Sequence, residues 1–363
     1  MSYSLSKEKD MLQDCVDLLS RLISIPSFSR EENETADVWE EWLKMKGASP
    51  LRFHNNVYAF TKAYDPKKPI LMLNSHHDTV RPVASYSRDP FSPALEGEKL
   101  YGLGSNDAGA SGVALAATFL QLMDSPDLNM NLLLTITAAE EVMGEYGMRA
   151  FLPYLRDCGL YPAMAIVGEP TEMQPAVAER GLVVLDGFTP GVAGHAARNE
   201  GENAIYRSIA DINTLRNFQP EKVSDTLGPL KINVTMISAG TQHNIIPDKC
   251  TFVVDVRTTD AYTNVETVEL LQKEMKWSTL TPRSTRIQAS VIPSDHVLVR
   301  AASELGLVPF VSPTTSDMSL MHDIPSLKIG PGKSARSHTA DEYILISEIE
   351  QALKIYPQLI KLL

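Results

Sequence analysis

The sequence is poor in cysteine and has no long apolar run. Its three cysteines, Cys15, Cys158 and Cys250, share no CxxC spacing, which argues against a thiolate metal site and against a disulfide framework. No stretch of about eighteen apolar residues occurs, so no transmembrane helix is expected. The first fifteen residues lack the apolar segment of a signal peptide. Few, scattered thiols are typical of a reducing compartment, and we predict a cytoplasmic protein.

Positive charge is also scarce. The formal net charge is −12 and the isoelectric point is about 5.2, which argues against nucleic acid or an anionic membrane surface as a partner. Hydrophobic residues make up 44% of the 363 positions and charged residues 21%. This composition is ordinary for a soluble globular chain, and the length allows two domains.

Short apolar runs indicate buried strands in the first half of the chain. The runs 70–73, 132–136 and 163–167 are rich in aliphatic residues and are bounded by polar residues, proline or glycine. Runs of this length suit strands that are buried on both faces. Helical patterns lie between them at 112–123 and 147–156. The alternation predicts an α/β fold with a mixed, mostly parallel sheet flanked by helices.

A second pattern begins near Glu179 and predicts an inserted domain. Its strands and helices, in the order β-α-β-β-α-β, are expected at 182–188, 204–217, 230–238, 251–257, 265–277 and 283–289. This order is that of a ferredoxin-like α+β module. After Pro293 the α/β pattern resumes, with a strand at 326–329. We therefore predict a discontinuous catalytic domain, 1–179 with 291–363, and an insertion at 180–290.

Histidine or carboxylate residues follow four of the predicted strands. In chain order they are His76 with Asp78, Glu140 with Glu141, Glu169, and His338. Ligands of α/β sheets gather outside the carboxyl ends of the strands, so these side chains are expected to meet. The glycine-rich turn 102–109 adds Asp107. Taken singly, Asp107 also suits a helix N-cap, and the pair 140–141 also suits a solvated acidic turn.

Two histidines and three carboxylates together form a mixed nitrogen and oxygen ligand set. Such a set suits zinc, cobalt or manganese better than calcium. Two cations that share a carboxylate and a water would lower the pKa of that water and polarise an amide carbonyl. Glu140 would then take the proton and return it to the leaving amine. An α/β protein without metal, whose carboxylates are ordinary caps, is the structural alternative.

The ordered motifs resemble those of the M20 metallopeptidases, which include acetylornithine deacetylase, succinyl-diaminopimelate desuccinylase and aminoacylase. The resemblance covers essentially the whole chain. It implies two divalent metal ions, with zinc favoured over cobalt or manganese. The implied ligands are His76 and Glu169 for one ion, Glu141 and His338 for the other, and Asp107 as the bridge. It also implies that Asp78 orients His76 and that Glu140 is the general base, with His77 a neighbour rather than a ligand.

In the predicted insertion, three further motifs resemble the family. Gly194-His195-Ala196-Ala197 resembles the Gly-His-Ala-Ser motif of the family. The resemblance implies that His195 stabilises the oxyanion. In the family, this histidine reaches the active site of the partner subunit, which implies a homodimer formed through this domain. The other two are Asn244-Ile245-Ile246-Pro247 and Asp255-Val256-Arg257. They imply that Asn244 and Arg257 contact the substrate, Arg257 through a carboxylate. An ion pair at a domain interface is the alternative for Arg257.

A segment near the C-terminus and the glycine-rich turn complete the comparison. Thr315-Ser316-Asp317 resembles the Thr-Ser-Asp segment of the family and implies that Ser316 lies at the substrate pocket. Gly102-Leu103-Gly104 departs from the usual Gly-Arg-Gly, and Ala108-Gly109-Ala110 departs from Met-Lys-Gly. Neither departure removes an implied ligand.

The resemblance implies hydrolysis of the amide bond of a small N-acyl amino acid. The ending Gly330-Pro331-Gly332…Ser337-His338 is most similar to the acetylornithine deacetylase and desuccinylase branch. N-acetyl- or N-succinyl-ornithine or -citrulline, in arginine biosynthesis, is the favoured substrate. Succinyl-diaminopimelate is second, and a dipeptidase or carboxypeptidase activity is third. A metal-bound binding protein without catalysis is the alternative from another class, although Glu140 and every implied ligand are present.

Overall fold

A computed structural model describes residues 2–62, 64–198 and 200–363, with side chains from Asp10 onward in the first helix. The helices are α1 (Ser2–Ile23), α2 (Asn33–Met45), α3 (Ala110–Leu122), α4 (Met148–Asp157), α5 (Ala204–Asn217), α6 (Asn264–Glu274), α7 (Val297–Glu304) and α8 (Ile346–Lys361). The strands are β1 (Leu51–Phe53), β2 (Asn56–Phe60), β3 (Ile70–His76), β4 (Ala94–Glu96), β5 (Lys99–Tyr101), β6 (Asn131–Thr137), β7 (Met164–Val167), β8 (Ala176–Glu179), β9 (Gly181–Pro190), β10 (Gly194–His195), β11 (Lys231–Ala239), β12 (Ile245–Ile246), β13 (Lys249–Thr258), β14 (Thr279–Pro282), β15 (Ser290–Val291), β16 (Phe310–Ser312), β17 (Ser326–Lys328) and β18 (Tyr343–Leu345).

Packing divides the chain into two compact units. The first contains the chain up to Val177 together with 292–310 and 316–363, and the second contains 178–291 and 311–315. The predicted insertion, 180–290, lies within the range 178–291 of the second unit. The lid and dimerisation roles predicted for that insertion stay predictions.

The first unit is built on a mixed sheet with a parallel centre. Its strand order is β1-β2-β6-β3-β7-β17-β8, in which β6, β3, β7 and β17 are parallel neighbours. Strand β2 joins β6 antiparallel, and β1 joins β2 in the same way. The central strands β3 and β6 are buried at every position, as expected for strands covered on both faces. The predicted α/β class is confirmed.

Alternate residues of the central strands enter two separate cores. In β3, Leu71 and Leu73 pack with α1, α2, α3, α7 and α8 on one face, whereas Ile70 and Met72 pack with α4 on the other. Successive side chains of a strand point to opposite faces of the sheet. Helices therefore cover the parallel centre on both sides and leave its strand ends as the place for polar groups.

The second unit has the predicted α+β order. Its antiparallel sheet runs β11-β13-β9-β14, and α5 and α6 pack on one face of it. The core between sheet and helices includes Val183, Phe252 and Val254 from the strands, and Leu215 and Leu271 from the helices. Burial alternates along β9 and β13, which is the pattern of a sheet with one covered face.

One predicted strand of this module is wrong. The last strand was expected at 283–289, but β14 ends at Pro282 and pairs with β9 from Thr279. Residues 283–289 contribute only an isolated bridge, between Ile287 and Leu182. The short run Thr279–Pro282 contains proline and offers little hydrophobic signal, so pairing with β9 rather than local pattern decides its conformation.

Asp211 on α5 should be important for the stability of the second unit. It is buried and accepts the backbone N–H groups of Lys276, Trp277 and Ser278 at 3.1, 2.9 and 2.7 Å. Asp211→Ala leaves these donors without their acceptor, so we expect a loss of about 3 kcal/mol of unfolding free energy. Scanning calorimetry measures the change, with the exposed Asp260→Ala as control. Equal transition temperatures for the two variants would contradict the expectation.

Two further observations concern helices and thiols. Among the described residues, no helix combines the length and the apolar character needed to cross a bilayer. Cys15, Cys158 and Cys250 are all free thiols, and only Cys158 is exposed.

Candidate metal centre

Strand ends of the first unit present the predicted side chains. His76 is the last residue of β3, and Glu140 and Glu141 follow the end of β6. Glu169 lies just beyond β7, and β17 leads to the loop that carries His338. Because β6, β3 and β7 are parallel neighbours, their carboxyl ends lie at one edge of the sheet. The topology therefore gathers side chains that are far apart in the sequence.

Asp107 lies between two histidines. Its Oδ1 is 3.3 Å from His76 Nε2, and its Oδ2 is 3.6 Å from His338 Nε2. On the first side, Glu169 Oε1 is 3.7 Å from His76 Nε2. On the second side, Glu141 Oε2 is 3.0 Å from His338 Nε2. One carboxylate thus faces two His–Glu pairs, which is the arrangement that a bridging ligand requires.

The donor set fits divalent cations. Donor atoms of His76, Asp107 and Glu141 lie within 4.8 Å of one another and could hold a cation. The predicted ligand sets instead give Glu141 to the ion beside His338, whose Nε2 is 3.0 Å from Glu141 Oε2. Imidazole nitrogen combined with carboxylate oxygen suits zinc, cobalt or manganese. Burial raises the pKa of Glu169 to about 8, and the charge of Asp107 adds to the rise. Carboxylates crowded in this way are stabilised by bound cations, so the residues fit a metal centre.

Metal binding is expected to release protons from this cluster. Without metal, burial raises the pKa of Glu169 to about 8, and a hydrogen bond to Glu141 raises the pKa of His338 to about 9. Both groups hold protons at neutral pH, and a cation must displace them. We expect about one proton or more to be released per chain, and an apparent affinity that rises with pH.

Calorimetric titration with Zn2+ measures this release. The apparent binding enthalpy should depend on the ionisation enthalpy of the buffer, with a slope equal to the number of protons released. Equal apparent enthalpies in all buffers at neutral pH would contradict the expectation.

Asp78 holds both His76 and the turn after β6. His76 Nδ1 lies 3.0 Å from the backbone carbonyl oxygen of Asp78 and 3.4 Å from its Oδ1, and Nε2 faces Asp107. The Asp78 carboxylate also accepts the backbone N–H groups of Glu140 and Glu141 at 2.9 and 3.1 Å. Burial alone would lower the pKa of His76, but hydrogen bonds to Asp107 and Asp78 raise it well above its usual value.

The match to a protein family decides the class of this cluster. Residues 72–362 match the model described as peptidase family M20/M25/M40, a span that contains His76, Asp107, Glu141, Glu169 and His338. The chain belongs to this family. It is therefore a metal-dependent hydrolase, as the sequence analysis predicted.

Relatives of this M20-family chain include desuccinylases and a deacetylase. The chain is 27% identical to the succinyl-diaminopimelate desuccinylase of Dinoroseobacter shibae, over 96% of this chain and 99% of that protein. It is 26% identical to the acetylornithine deacetylase of Proteus mirabilis, over 95% and 96% respectively. The desuccinylase name recurs among further relatives at 24–26% identity.

A solved structure shows the same fold. The chain superposes on the Bacillus subtilis YXEP protein, described as a dinuclear metal-binding peptidase of the M20 family, with a TM-score of 0.74. The two are 17% identical, over 97% of this chain and 98% of that one. This likeness covers residues of both units and supports the fold assignment.

Two buried side chains that sequence analysis did not select hold the loop of Asp107. Glu342 Oε1 accepts the N–H groups of Asn106 and Asp107 at 2.8 and 2.9 Å, and its Oε2 accepts that of Gly104 at 3.1 Å. The side-chain amide of Asn106 exchanges two hydrogen bonds with the backbone of Lys333. Gly104 has a φ of +76°, a conformation that glycine adopts without strain.

Both ring nitrogens of His77 are engaged away from the cluster. Nε2 lies 3.0 Å from the carbonyl oxygen of Asn55, and Nδ1 lies 3.0 Å from the hydroxyl of Thr35. Burial lowers the pKa of His77 to about 4, so the ring is neutral. Because a carbonyl only accepts, Nε2 carries the proton and donates it. These contacts are those of a neighbour rather than a ligand.

In the second unit, the structure brings His195 and Asn244 together. Strand β10, which ends at His195, pairs with β12, and the N–H of Ala196 donates to the carbonyl oxygen of Asn244 at 3.1 Å. His195 is exposed, and its Nδ1 accepts the N–H of Ala197 at 3.2 Å. A neutral ring therefore carries its proton on Nε2.

Arg257 and Ser316 are already engaged within the chain. The guanidinium of Arg257 makes two hydrogen bonds to Asp255, at 2.9 and 3.1 Å. Ser316 is buried and accepts the N–H of Met318 at the start of a short helical turn. The substrate-binding roles predicted for Asn244, Arg257 and Ser316 stay predictions.

Asp317, which directly follows Ser316, lies beside the metal centre. Its Oδ2 accepts hydrogen bonds from Asn74 Nδ2 at 2.9 Å and from Thr137 Oγ1 at 2.8 Å. These donors belong to β3 and β6 near their carboxyl ends. Burial raises the pKa of Glu140 well above its usual value, and the negative charge of Asp317 adds to the rise.

Proposed function

We propose that the chain hydrolyses the amide bond of an N-acyl amino acid, with two zinc ions and Glu140 as the general base. The observation that carries the proposal is Asp107, which faces one His–Glu pair with each carboxylate oxygen. The ions would be held by His76 with Glu169 and by His338 with Glu141. Bound ions of this kind lower the pKa of a shared water and polarise the amide carbonyl.

Glu140 is placed to move protons beside this centre. Its Oε2 is 4.0 Å from His76 Nε2, and Asp78 fixes its backbone N–H. Burial raises the pKa of Glu140 well above its usual value, so the metal-free chain disfavours its charged form. A carboxylate there takes a proton from the attacking water and returns it to the leaving amine.

For the substrate, we propose N-succinyl-diaminopimelate first and N-acyl-ornithine or -citrulline second. The C-terminal motif Gly330-Pro331-Gly332…Ser337-His338 alone favours the ornithine and citrulline conjugates. Several relatives are named succinyl-diaminopimelate desuccinylase, so we place N-succinyl-diaminopimelate before the ornithine and citrulline conjugates. The similarity to the acetylornithine deacetylase of Proteus mirabilis supports these conjugates as the second candidate. All of these compounds are amides of amino acids, so the same bond is hydrolysed in each.

A substrate panel tests this proposal. The protein, reconstituted with Zn2+ or Co2+, would be incubated with N-succinyl-diaminopimelate, the N-acetyl and N-succinyl conjugates of ornithine and citrulline, and several dipeptides. Mass spectrometry would measure the released acid and amine. Glu140→Ala, prepared identically, is the matched control for contaminating hydrolases.

The outcomes separate the candidates. Highest kcat/KM on N-succinyl-diaminopimelate supports the first substrate, and highest kcat/KM on an ornithine or citrulline conjugate supports the second. Preference for dipeptides would overturn both substrates and keep the metal chemistry. No hydrolysis of any compound by metal-loaded protein would overturn the proposal of an N-acyl amino acid.

We also propose a homodimer formed through the second unit. Strand β11 is an edge strand of its sheet and exposes Met236 and Ile237, which are 65% and 55% accessible. Helix α5 exposes Tyr206 and Ile209 nearby in the same unit. An unpaired edge with exposed apolar side chains favours pairing with another copy. Sedimentation measures the oligomeric state. The location of the protein in the cytoplasm is a separate prediction that stays untested.

His195→Ala should impair catalysis without loss of metal. The proton of a neutral His195 lies on Nε2, where it can donate to the oxyanion, and loss of one such donor costs about 10²- to 10³-fold in kcat. The measurement is kcat together with metal content, with exposed His243→Ala as control. Unchanged kcat would contradict the role. Recovery of activity in mixed dimers with Glu140→Ala would place His195 in the partner's site.

A further inference from the structure

The turn after β6 is held by side chains at every backbone N–H from 138 to 141. Asn56 Oδ1 accepts the N–H of Ala138 at 3.1 Å, Glu32 Oε1 accepts that of Ala139 at 3.0 Å, and Asp78 accepts those of Glu140 and Glu141. This turn carries both the proposed base and a proposed metal ligand. Its backbone conformation therefore sets where their carboxylates lie.

Glu32 is buried and fully engaged. It is 1% exposed, and its Oε1 accepts the backbone N–H of Arg30 as well as that of Ala139. Its Oε2 accepts a hydrogen bond from Asn55 Nδ2 at 3.0 Å. Glu32 also directly precedes α2, where the helix dipole favours a negative charge. A carboxylate in these surroundings is fixed in position and can hold its partners.

Ala139 has a backbone conformation that needs support from a hydrogen-bond partner outside the turn. Its φ is +54°, in the left-handed region that an alanine disfavours relative to ordinary backbone conformations. Ala139 directly precedes Glu140, so a return to an ordinary conformation would redirect both carboxylates that follow. The hydrogen bond from Ala139 to Glu32 opposes that return.

A second hydrogen bond connects Glu32, through Asn55, to the segment that carries His76. Asn55, which donates to Glu32, accepts the Nε2 proton of His77 through its carbonyl oxygen. His77 directly follows the proposed ligand His76. One carboxylate thus connects, through short hydrogen bonds, the segments that carry His76 and Glu140.

We infer that Glu32 is a positioning residue, which holds Ala139 in its left-handed conformation and thereby places Glu140 and Glu141 for metal binding and catalysis. Its catalytic consequence rests on the proposed function. Its structural consequence is independent of activity, because the Ala139 hydrogen bond is a property of the chain itself.

Three substitutions separate reach from charge at this position. Glu32→Gln keeps the reach of the side chain and an acceptor oxygen for Ala139, but it removes the charge and the hydrogen bond from Asn55 Nδ2. Glu32→Asp keeps the charge beside α2, but it is one methylene shorter and falls short of Ala139. Glu32→Ala removes both. Exposed Glu31→Ala is the matched control, since the Glu31 side chain forms a surface ion pair with Arg81.

Hydrogen exchange of the metal-free protein gives the first readout. Protection of the Ala139 amide should fall by about tenfold or more in Glu32→Asp and Glu32→Ala, and stay near the wild-type value in Glu32→Gln and Glu31→Ala. Preserved protection of Ala139 in Glu32→Asp would overturn the inference. The Asp variant keeps the charge, so it tests the inference even where Glu32→Ala does not fold.

Metal affinity and kinetics give the second readout. Zinc affinity and kcat should each fall by about 10- to 100-fold in Glu32→Asp, with little change in KM, and Glu32→Gln should recover most of both. The reverse order, with Asp near wild type and Gln impaired, would show that charge rather than reach matters and would overturn the inference. Inactivity of the wild-type protein on the whole panel would instead refute the proposed function, while exchange and zinc affinity would still test Glu32.

Discussion

Replacement of Glu140 by alanine is expected to lower kcat by about a thousandfold or more while both metal positions stay filled. The loss follows from removal of the group that takes the proton from water and returns it to the amine. Metal should remain because Asp107, Glu169 and Glu141 approach the Nε2 atoms of His76 and His338 at 3.0–3.7 Å, whereas Glu140 lies 4.0 Å from His76 Nε2.

Two further variants make this expectation specific. Glu140→Gln keeps the volume of a buried side chain but is not a base, so it should lose about as much activity as the alanine variant. Glu145→Ala removes an exposed carboxylate of the same segment and should retain wild-type kcat. Metal content is measured by mass spectrometry of the purified proteins. A Gln variant with more than about a tenth of the wild-type kcat would show that Glu140 is not the base.

The parts of the fold that the sequence predicts well are those with strong local patterns. The apolar runs 70–73 and 132–136 predict β3 and β6, because a strand buried on both faces has no polar alternation to obscure it. The helix predicted at 204–217 is observed as α5 with the same bounds. Strand β14 escapes prediction because it is short, contains proline and depends on pairing with β9.

The metal centre is predictable for a related reason. Its histidines and carboxylates follow recognisable strands, and the rule that parallel strand ends meet is enough to bring them together. Asp107 is also found, because it lies in a glycine-rich turn.

Residues that hold the backbone around this centre have no comparable signal. Glu32, Asn106 and Glu342 accept N–H groups that are remote in sequence, and their partners are decided by the approach of separate segments. A single glutamate before a helix is ordinary in any sequence. Glu342 lies four residues after His338 and could have been selected for its proximity, but its role as an acceptor of three N–H groups is visible only in the folded chain.

Replacement of Asp107 by alanine is expected to remove metal from both positions, and with it all measurable turnover. The reason is geometric: Oδ1 lies beside His76 and Oδ2 beside His338, so one substitution takes a donor from each side. Glu169→Ala, by contrast, removes a donor from the His76 side alone. The measurement is metal stoichiometry after dialysis against buffer with a fixed concentration of free Zn2+.

The contrast between these variants tests whether the two positions share a ligand. Glu169→Ala should keep the ion beside His338 and lose the other, whereas Asp107→Ala should weaken both by about the same factor. Asp107→Asn has one neutral amide oxygen in place of two carboxylate oxygens. It should therefore bind an ion weakly at one of the two positions. If Asp107→Ala keeps one ion at wild-type affinity, Asp107 serves a single position. The proximity of Asp107 to both histidines would then reflect a hydrogen bond to His76 and charge attraction to His338 rather than a bridge.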